Sequence, residues 1–89
     1  MTLFAYQIFH AVAQQGSFAR AAELLHVTPS AISHAVAGME EEFGISLFAR
    51  TKSGVKLTGS GASLLPAVEM VLNSHEYSMQ QVAEINGMQ

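Results

Sequence analysis

Eighty-nine residues suffice for one small domain with a modest core, near the size at which association begins to aid stability. Apolar residues make up 49% and charged residues only 12%, about half the charged share of an average soluble domain, so the chain should fold and bury part of its surface against a partner. The absence of cysteine excludes disulfides and thiolate metal sites. With no basic flank of a signal peptide and no run near the ~18 apolar residues of a membrane span, the expected location is the cytoplasm.

The net charge of −3 argues at first against nucleic acid. Its distribution removes the objection. Residues 1–57 carry Arg20, Arg50, Lys52 and Lys56 against Glu23, Glu40, Glu41 and Glu42, which sums to zero. The other acids, Glu69, Glu76 and Glu84, fall in the C-terminal third, where no Lys or Arg occurs. A phosphate-binding surface can therefore form around Arg50–Lys56 with the acidic part turned away.

In chain order, residues 3–14 place Leu3, Phe4, Ile8, Phe9, Ala11 and Val12 at helical spacing. Gly16 suits a left-handed residue past the helix end. Ser17 can cap a second helix, Phe18 to His26, whose buried stripe is read as Phe18, Ala21, Ala22, Leu24 and Leu25. Thr28 is a good N-cap and Pro29 fits the first helical position, where no amide donor is needed. The third helix then runs to Phe43, with Ile32, Val36, Met39 and Phe43 on one face, and Gly44 ends it. Leu47-Phe48 and Val55–Leu57 flank the polar turn Thr51-Lys52-Ser53-Gly54, the pattern of a small β-hairpin. Thr58 can cap a last helix reaching about Ile85, roughly 40 Å long at 1.5 Å per residue. Pro66 should interrupt that helix and bend it near Ala62.

Two short helices joined by a tight turn, the second offering small polar residues at its start, make a helix-turn-helix. Ala21 and Ala22 are small where the helices cross, Val27 plugs the turn, and Ile32 and Val36 anchor the third helix from beneath. Its outer face, with Thr28, Pro29, Ser30, Ser33, His34 and Ala37, is then free for a DNA major groove. The set lacks Arg, Asn and Gln, so reading of DNA shape should weigh more than bidentate base contacts. Arg50, Lys52 and Lys56 sit where a wing would meet the phosphate backbone.

Four strings resemble the N-terminal domain of LysR-type transcriptional regulators: Gly16–Leu25, Val27–Ser33, Glu40–Arg50 and Leu57–Gly61. The resemblance implies a mainly α winged helix-turn-helix over residues 1–57, followed by a linker and dimerisation helix over 58–89. It also implies a homodimer on an interrupted, AT-rich inverted repeat in double-stranded DNA, with higher homo-oligomers in a full-length protein. Ser33 and His34 then match the family's base- and phosphate-contacting pair, Arg50 the Arg after Leu-Phe, and Lys52 the wing tip. Pro29 stands where Gln is common, and Ala35, Ala37 and Gly38 where Gln, Lys or Arg often occur. A full-length member carries a two-lobed effector-binding domain, expected to be absent from this chain.

Other chemistries fit poorly. His10, His26, His34 and His75 have no metal-ligand spacing, so neither metal nor cofactor is expected. Consecutive Glu40, Glu41 and Glu42 point about 100° apart and read as a solvated face, not a carboxylate pair. Without Asp there is no Ser-His-Asp set, and no enzyme is expected. Arg20 suits either a phosphate contact or an ion pair with a neighbouring Glu. The stripe of Leu64, Leu65, Val68, Val71, Leu72, Met79 and Val82 reads as a dimer seam, on a helix with no partner in its own chain. No residue specifies a contact with RNA polymerase or a membrane. The alternative to DNA is a protein-interaction domain, supported by the low charge of the third helix.

Overall fold

The computed structural model describes residues 1–88. Its elements are α1 (Leu3–Gln15), α2 (Phe18–Leu25), α3 (Pro29–Phe43), β1 (Phe48–Thr51), β2 (Gly54–Leu57) and α4 (Gly59–Gly87). The order is that of a winged helix-turn-helix followed by a long helix, as the patterning anticipates.

Each helix begins on a hydroxyl. Thr2, Ser17, Thr28 and Thr58 accept from the N–H groups of Ala5, Arg20, Ala31 and Gly61 at 3.0–3.2 Å, satisfying donors that the first helical turn leaves free. Helices α1 and α3 end on left-handed Gly16 and Gly44. Helix α2 stops one residue earlier than expected, because His26 itself adopts the left-handed conformation at φ 58°. The His26 and Val27 N–H groups then bond back to Glu23 and Ala22, closing the tight turn.

The core draws on every layer. Phe9 and Val12 of α1, Ile32 of α3, Leu47 ahead of β1 and Val68 of α4 are its largest fully buried side chains. Ala21 and Ala22 are also buried, where α2 packs against its neighbours. The ring of Phe9 meets that of Phe48 at 5.3 Å, tilted by 49°, which fastens the wing to α1. Phe4 and Leu24, both assigned to buried faces by spacing, lie exposed. Leu24 precedes half-buried Leu25 by one residue and so points about 100° away from it.

Helix α4 departs from expectation in two ways. It runs unbroken through Pro66, because Pro66 and Ala62 are both exposed and water can take the carbonyl whose donor the proline removes. And it does have a partner in its own chain. Val68 is fully buried, while Leu64, Leu65 and Leu72 pack partly buried on the core, and α1 is the helix beneath them. Gly61 is buried at the start of this contact, where a Cβ would collide with the Leu47 carbonyl.

Two glycines should consequently respond in opposite ways. Gly38→Ala, in mid-α3 with open space around its Cβ position, should raise stability by about 0.5–1 kcal/mol. Gly61→Ala should lower it by about 1–3 kcal/mol through overpacking against backbone. Urea unfolding of the two variants measures both signs.

Candidate nucleic-acid interface

Helix α3 is held from one side only. Ile32, Val36 and Met39 are buried beneath it, and the opposite face leaves Ser30, Ser33, His34 and Ala37 exposed, with Thr28 and Pro29 at its start. All but His34 are short or compact, so the helix backbone can lie deep in a groove about 12 Å wide. The Thr28 hydroxyl is not a free contact: it already accepts from Ala31 N–H at 3.1 Å as the helix cap.

The wing is a two-stranded antiparallel hairpin in which Arg50 faces Val55 and Thr51 faces Gly54. Its pairing begins one residue later than the apolar pattern suggests, since Leu47 is consumed by the core. Two main-chain clamps fix its position. Val55 N–H donates to the Gly16 carbonyl at 3.0 Å, tying β2 to the α1–α2 turn. The approach is so close that a Cβ at Gly54, where φ is 154°, would collide with that carbonyl oxygen. On the other side, Glu40 Oε2 accepts from Leu47 N–H at 2.6 Å and Phe48 N–H at 3.2 Å, with the Ser46 hydroxyl at 3.4 Å. Glu40 is therefore not part of a solvated acidic face; it joins the groove-facing helix to the wing.

These clamps gather the cations. Arg50 lies with its guanidinium carbon 5.7 Å from the centre of the Phe18 ring. With Ser33 and Ala37 of α3 it lines a cleft of about 190 Å³ between helix and wing. Across the wing, Arg20 and Lys56 share a second hollow with Gln15, Ser17, Thr51 and Ser53. Lys52 stands exposed at the hairpin tip. Thr28, Pro29, Ser30 and His34 line neither hollow; they lie along the outer side of α3 and at its start.

Two oppositely chargeable contacts occur among the described residues, the N-terminus with Glu42 and His10 with Glu69, each at 3.7 Å, the second ionic only when the histidine is protonated. Neither uses Arg20, Arg50, Lys52 or Lys56, so Arg20 is not paired with Glu23. The hydroxyls of Ser17, Thr51 and Ser53 escaped sequence reasoning because only the Gly16–Val55 clamp brings them together.

The linker stripe divides. Val68 leaves the candidate dimer seam because it is buried in its own chain, and Leu65 and Leu72 pack on the same core. Val71, Met79 and Val82 remain exposed, joined by Ile85. No helix among the described residues is long and apolar enough to cross a membrane, and no cluster of metal-ligating side chains occurs among them.

Comparison with known proteins accords with this geometry. Residues 3–62 match the family model described as bacterial regulatory helix-turn-helix protein, lysR family. The RuBisCO operon transcriptional regulator of Acidithiobacillus ferrooxidans is 41% identical over 88 residues, covering 99% of this chain and 28% of that protein. An HTH-type transcriptional regulator of Sinorhizobium fredii is 39% identical over 82 residues, 92% of this chain and 28% of the relative. The chain thus spans about 28% of the length of these two relatives.

Among solved structures, the DNA complex of the CbnR DNA-binding domain aligns with a TM-score of 0.86 at 28% identity, over 96% of this chain and 98% of that one. The BenM DNA-binding domain on its catB site 1 DNA aligns at 0.89 and 28%, over 96% of each. The chain belongs to the LysR family of bacterial regulatory helix-turn-helix proteins. It is a helix-turn-helix DNA-binding domain of that family.

The capping role of Thr28 can be separated from any contact with DNA. Thr28→Ala should cost about 1 kcal/mol of stability, whereas Thr28→Ser should cost a few tenths at most. Thermal unfolding without DNA distinguishes the two.

Proposed function

We propose that this chain is the operator-reading part of a transcription regulator, binding an interrupted inverted repeat in double-stranded DNA as a homodimer. The observation that carries the reading is the uncovered outer face of α3 with Arg50 in the cleft beside it, Arg20 and Lys56 across the wing and Lys52 at the hairpin tip, none of them in an ion pair among the described residues. The likeness to DNA-bound domains of CbnR and BenM supports it. In this reading Arg20, Arg50, Lys52 and Lys56 meet phosphates, which position the protein without specifying sequence. Ser30, Ser33 and His34, with Thr28 and Pro29 at the helix start, face base edges and the local groove shape.

The support for a dimer comes from α4. Beyond Leu72 the helix leaves the core, and Val71, Met79, Val82 and Ile85 stay exposed on a molecule 53 Å long. A second copy laid on that stripe would cover it and bring two α3 helices to two half-sites, as two-fold symmetry requires of an inverted repeat. Leu64, half-buried at the near end, would border the seam. Val71→Asp combined with Val82→Asp should yield monomers by sedimentation with unchanged helical circular dichroism, since both side chains are exposed. Binding to the full repeat should fall by at least a hundredfold, estimated as roughly the loss of one half-site's contribution. A monomeric unmodified chain at micromolar concentration would overturn the dimer.

Salt tests the DNA reading. Each chain holds four Lys and Arg residues, so a dimer brings eight at most. At about −0.9 per phosphate neutralised, the slope of log affinity against log salt is bounded near −7, and we expect about −4 to −6 at neutral pH. Titration of a selected duplex over a salt series measures it. A slope near zero would replace DNA with a protein partner.

A further inference from the structure

We propose that Phe18 is a positioning residue for DNA binding: its ring holds the Arg50 guanidinium at the mouth of the cleft between α3 and the wing, set for a backbone phosphate. The inference rests on the DNA reading above. Arg50 is exposed and forms no ion pair among the described residues; the contact that fixes its head group is the Phe18 ring, 5.7 Å from the guanidinium carbon to the ring centre. That distance lies within the range of a cation–π contact.

Both partners are anchored to one main-chain clamp. Val55 is the residue opposite Arg50 in the hairpin, and its N–H bonds the Gly16 carbonyl two residues before Phe18. Phe18 is the first residue of α2, follows the Ser17 cap and packs half-buried on the core. The ring is therefore a fixed platform and not a chance neighbour.

The geometry leaves the working part of Arg50 free. A ring occupies one face of the planar guanidinium, while its N–H groups lie in the plane and remain available to a phosphate. The platform also settles a competition. Glu40 lines the same cleft, and a mobile Arg50 would have that carboxylate as an alternative partner, at the expense of both DNA contact and the Glu40 bonds to the wing. Ordering a long, rotamer-rich side chain before binding corresponds to about two- to tenfold in affinity per protomer.

The test is a double-mutant cycle on the dimer with one selected duplex. Phe18→Leu should weaken binding about two- to tenfold per protomer, and Phe18→Tyr, which keeps the ring, should restore it. In an Arg50→Ala background, Phe18→Leu should change affinity no further. Arg50→Ala should flatten the salt slope by about 0.9 per protomer, while Phe18→Leu should leave the slope in place, since the charge still reaches the DNA. Arg50→Lys leaves the core untouched and retains the charge, so it should keep the salt slope yet weaken binding about two- to tenfold per protomer, as Phe18→Leu does. Equal losses from Phe18→Leu in both backgrounds would show a packing role only and overturn the proposal; so would an Arg50→Lys protein that binds like the parent. A parent dimer without salt-dependent binding would instead sink the DNA reading itself.

Discussion

The carboxylate of Glu40 and the main chain of Leu47 form the joint on which the rest of this small fold depends. Glu40 sits late on α3, and Leu47 begins the wing after a turn. The Leu47 N–H goes to Glu40 Oε2, its carbonyl accepts the Thr58 N–H at 3.0 Å, and its side chain is fully buried. Groove-facing helix, wing and linker helix are thereby set against one residue. A hydrogen bond to a charged acceptor is worth more than a neutral one, about 1.5–3 kcal/mol net. In a domain whose core has few large side chains, one such joint decides whether the wing stands in a fixed relation to α3 or swings about its loop.

That fixed relation explains how so acidic a chain can face a polyanion. Four cations are few, but Arg50 meets α3 across one cleft, while Arg20 and Lys56 meet across the other side of the wing. Of the carboxylates that could neutralise them, Glu40 is engaged by wing amides and Glu42 by the N-terminus, while Glu23, which lines a hollow with Arg20, forms no ion pair among the described residues. The acids of α4 lie on the element that leads away from the helix-turn-helix. A protein with few charges loses little to self-repulsion and gains specificity chiefly from fit. For that, the short side chains of α3 and a rigid wing are better suited than a flexible basic surface.

Much of this was legible in the sequence, for reasons that are local. Caps at Ser17, Thr28 and Thr58, glycine stops at Gly16 and Gly44, and the Ile32–Val36–Met39 face are properties of neighbouring residues, and they fixed the elements nearly to the residue. The misreadings arise where distance along the chain matters. Glu40 looked solvated because its partners lie seven and eight residues ahead and the turn between them is invisible to periodicity. Val68 looked like a dimer contact because an apolar stripe states only that something covers it, not whether α1 or a second chain does. Leu24 looked buried because it is apolar, although it points away from the face that Ala21, Ala22 and Leu25 turn to the core. His26 is different in kind: a left-handed histidine has no strong sequence signature, and the constraint comes from the turn's closure.

The division of α4 shows how one stripe can serve two purposes. Up to Leu72 one face of the helix belongs to the core of its own chain, with Val68 fully buried and Leu64, Leu65 and Leu72 packed beside it. Past that point no apolar side chain of the helix joins the core, and Met79, Val82 and Ile85 stay exposed. If the proposed dimer uses that exposed stretch, stability of the single domain and affinity between copies fall on successive parts of the same helix and are nearly independent, because residues several turns apart on a rigid element share no contacts. A rigid helix has a further consequence. In the proposed dimer, a rotation at the seam would be transmitted to the spacing of the two α3 helices, because Gly61 packs on Leu47 and Leu47 is bonded to Glu40. The spacing of half-sites that such a dimer accepted would then be set at the seam, on a different element from the proposed DNA-facing residues of α3.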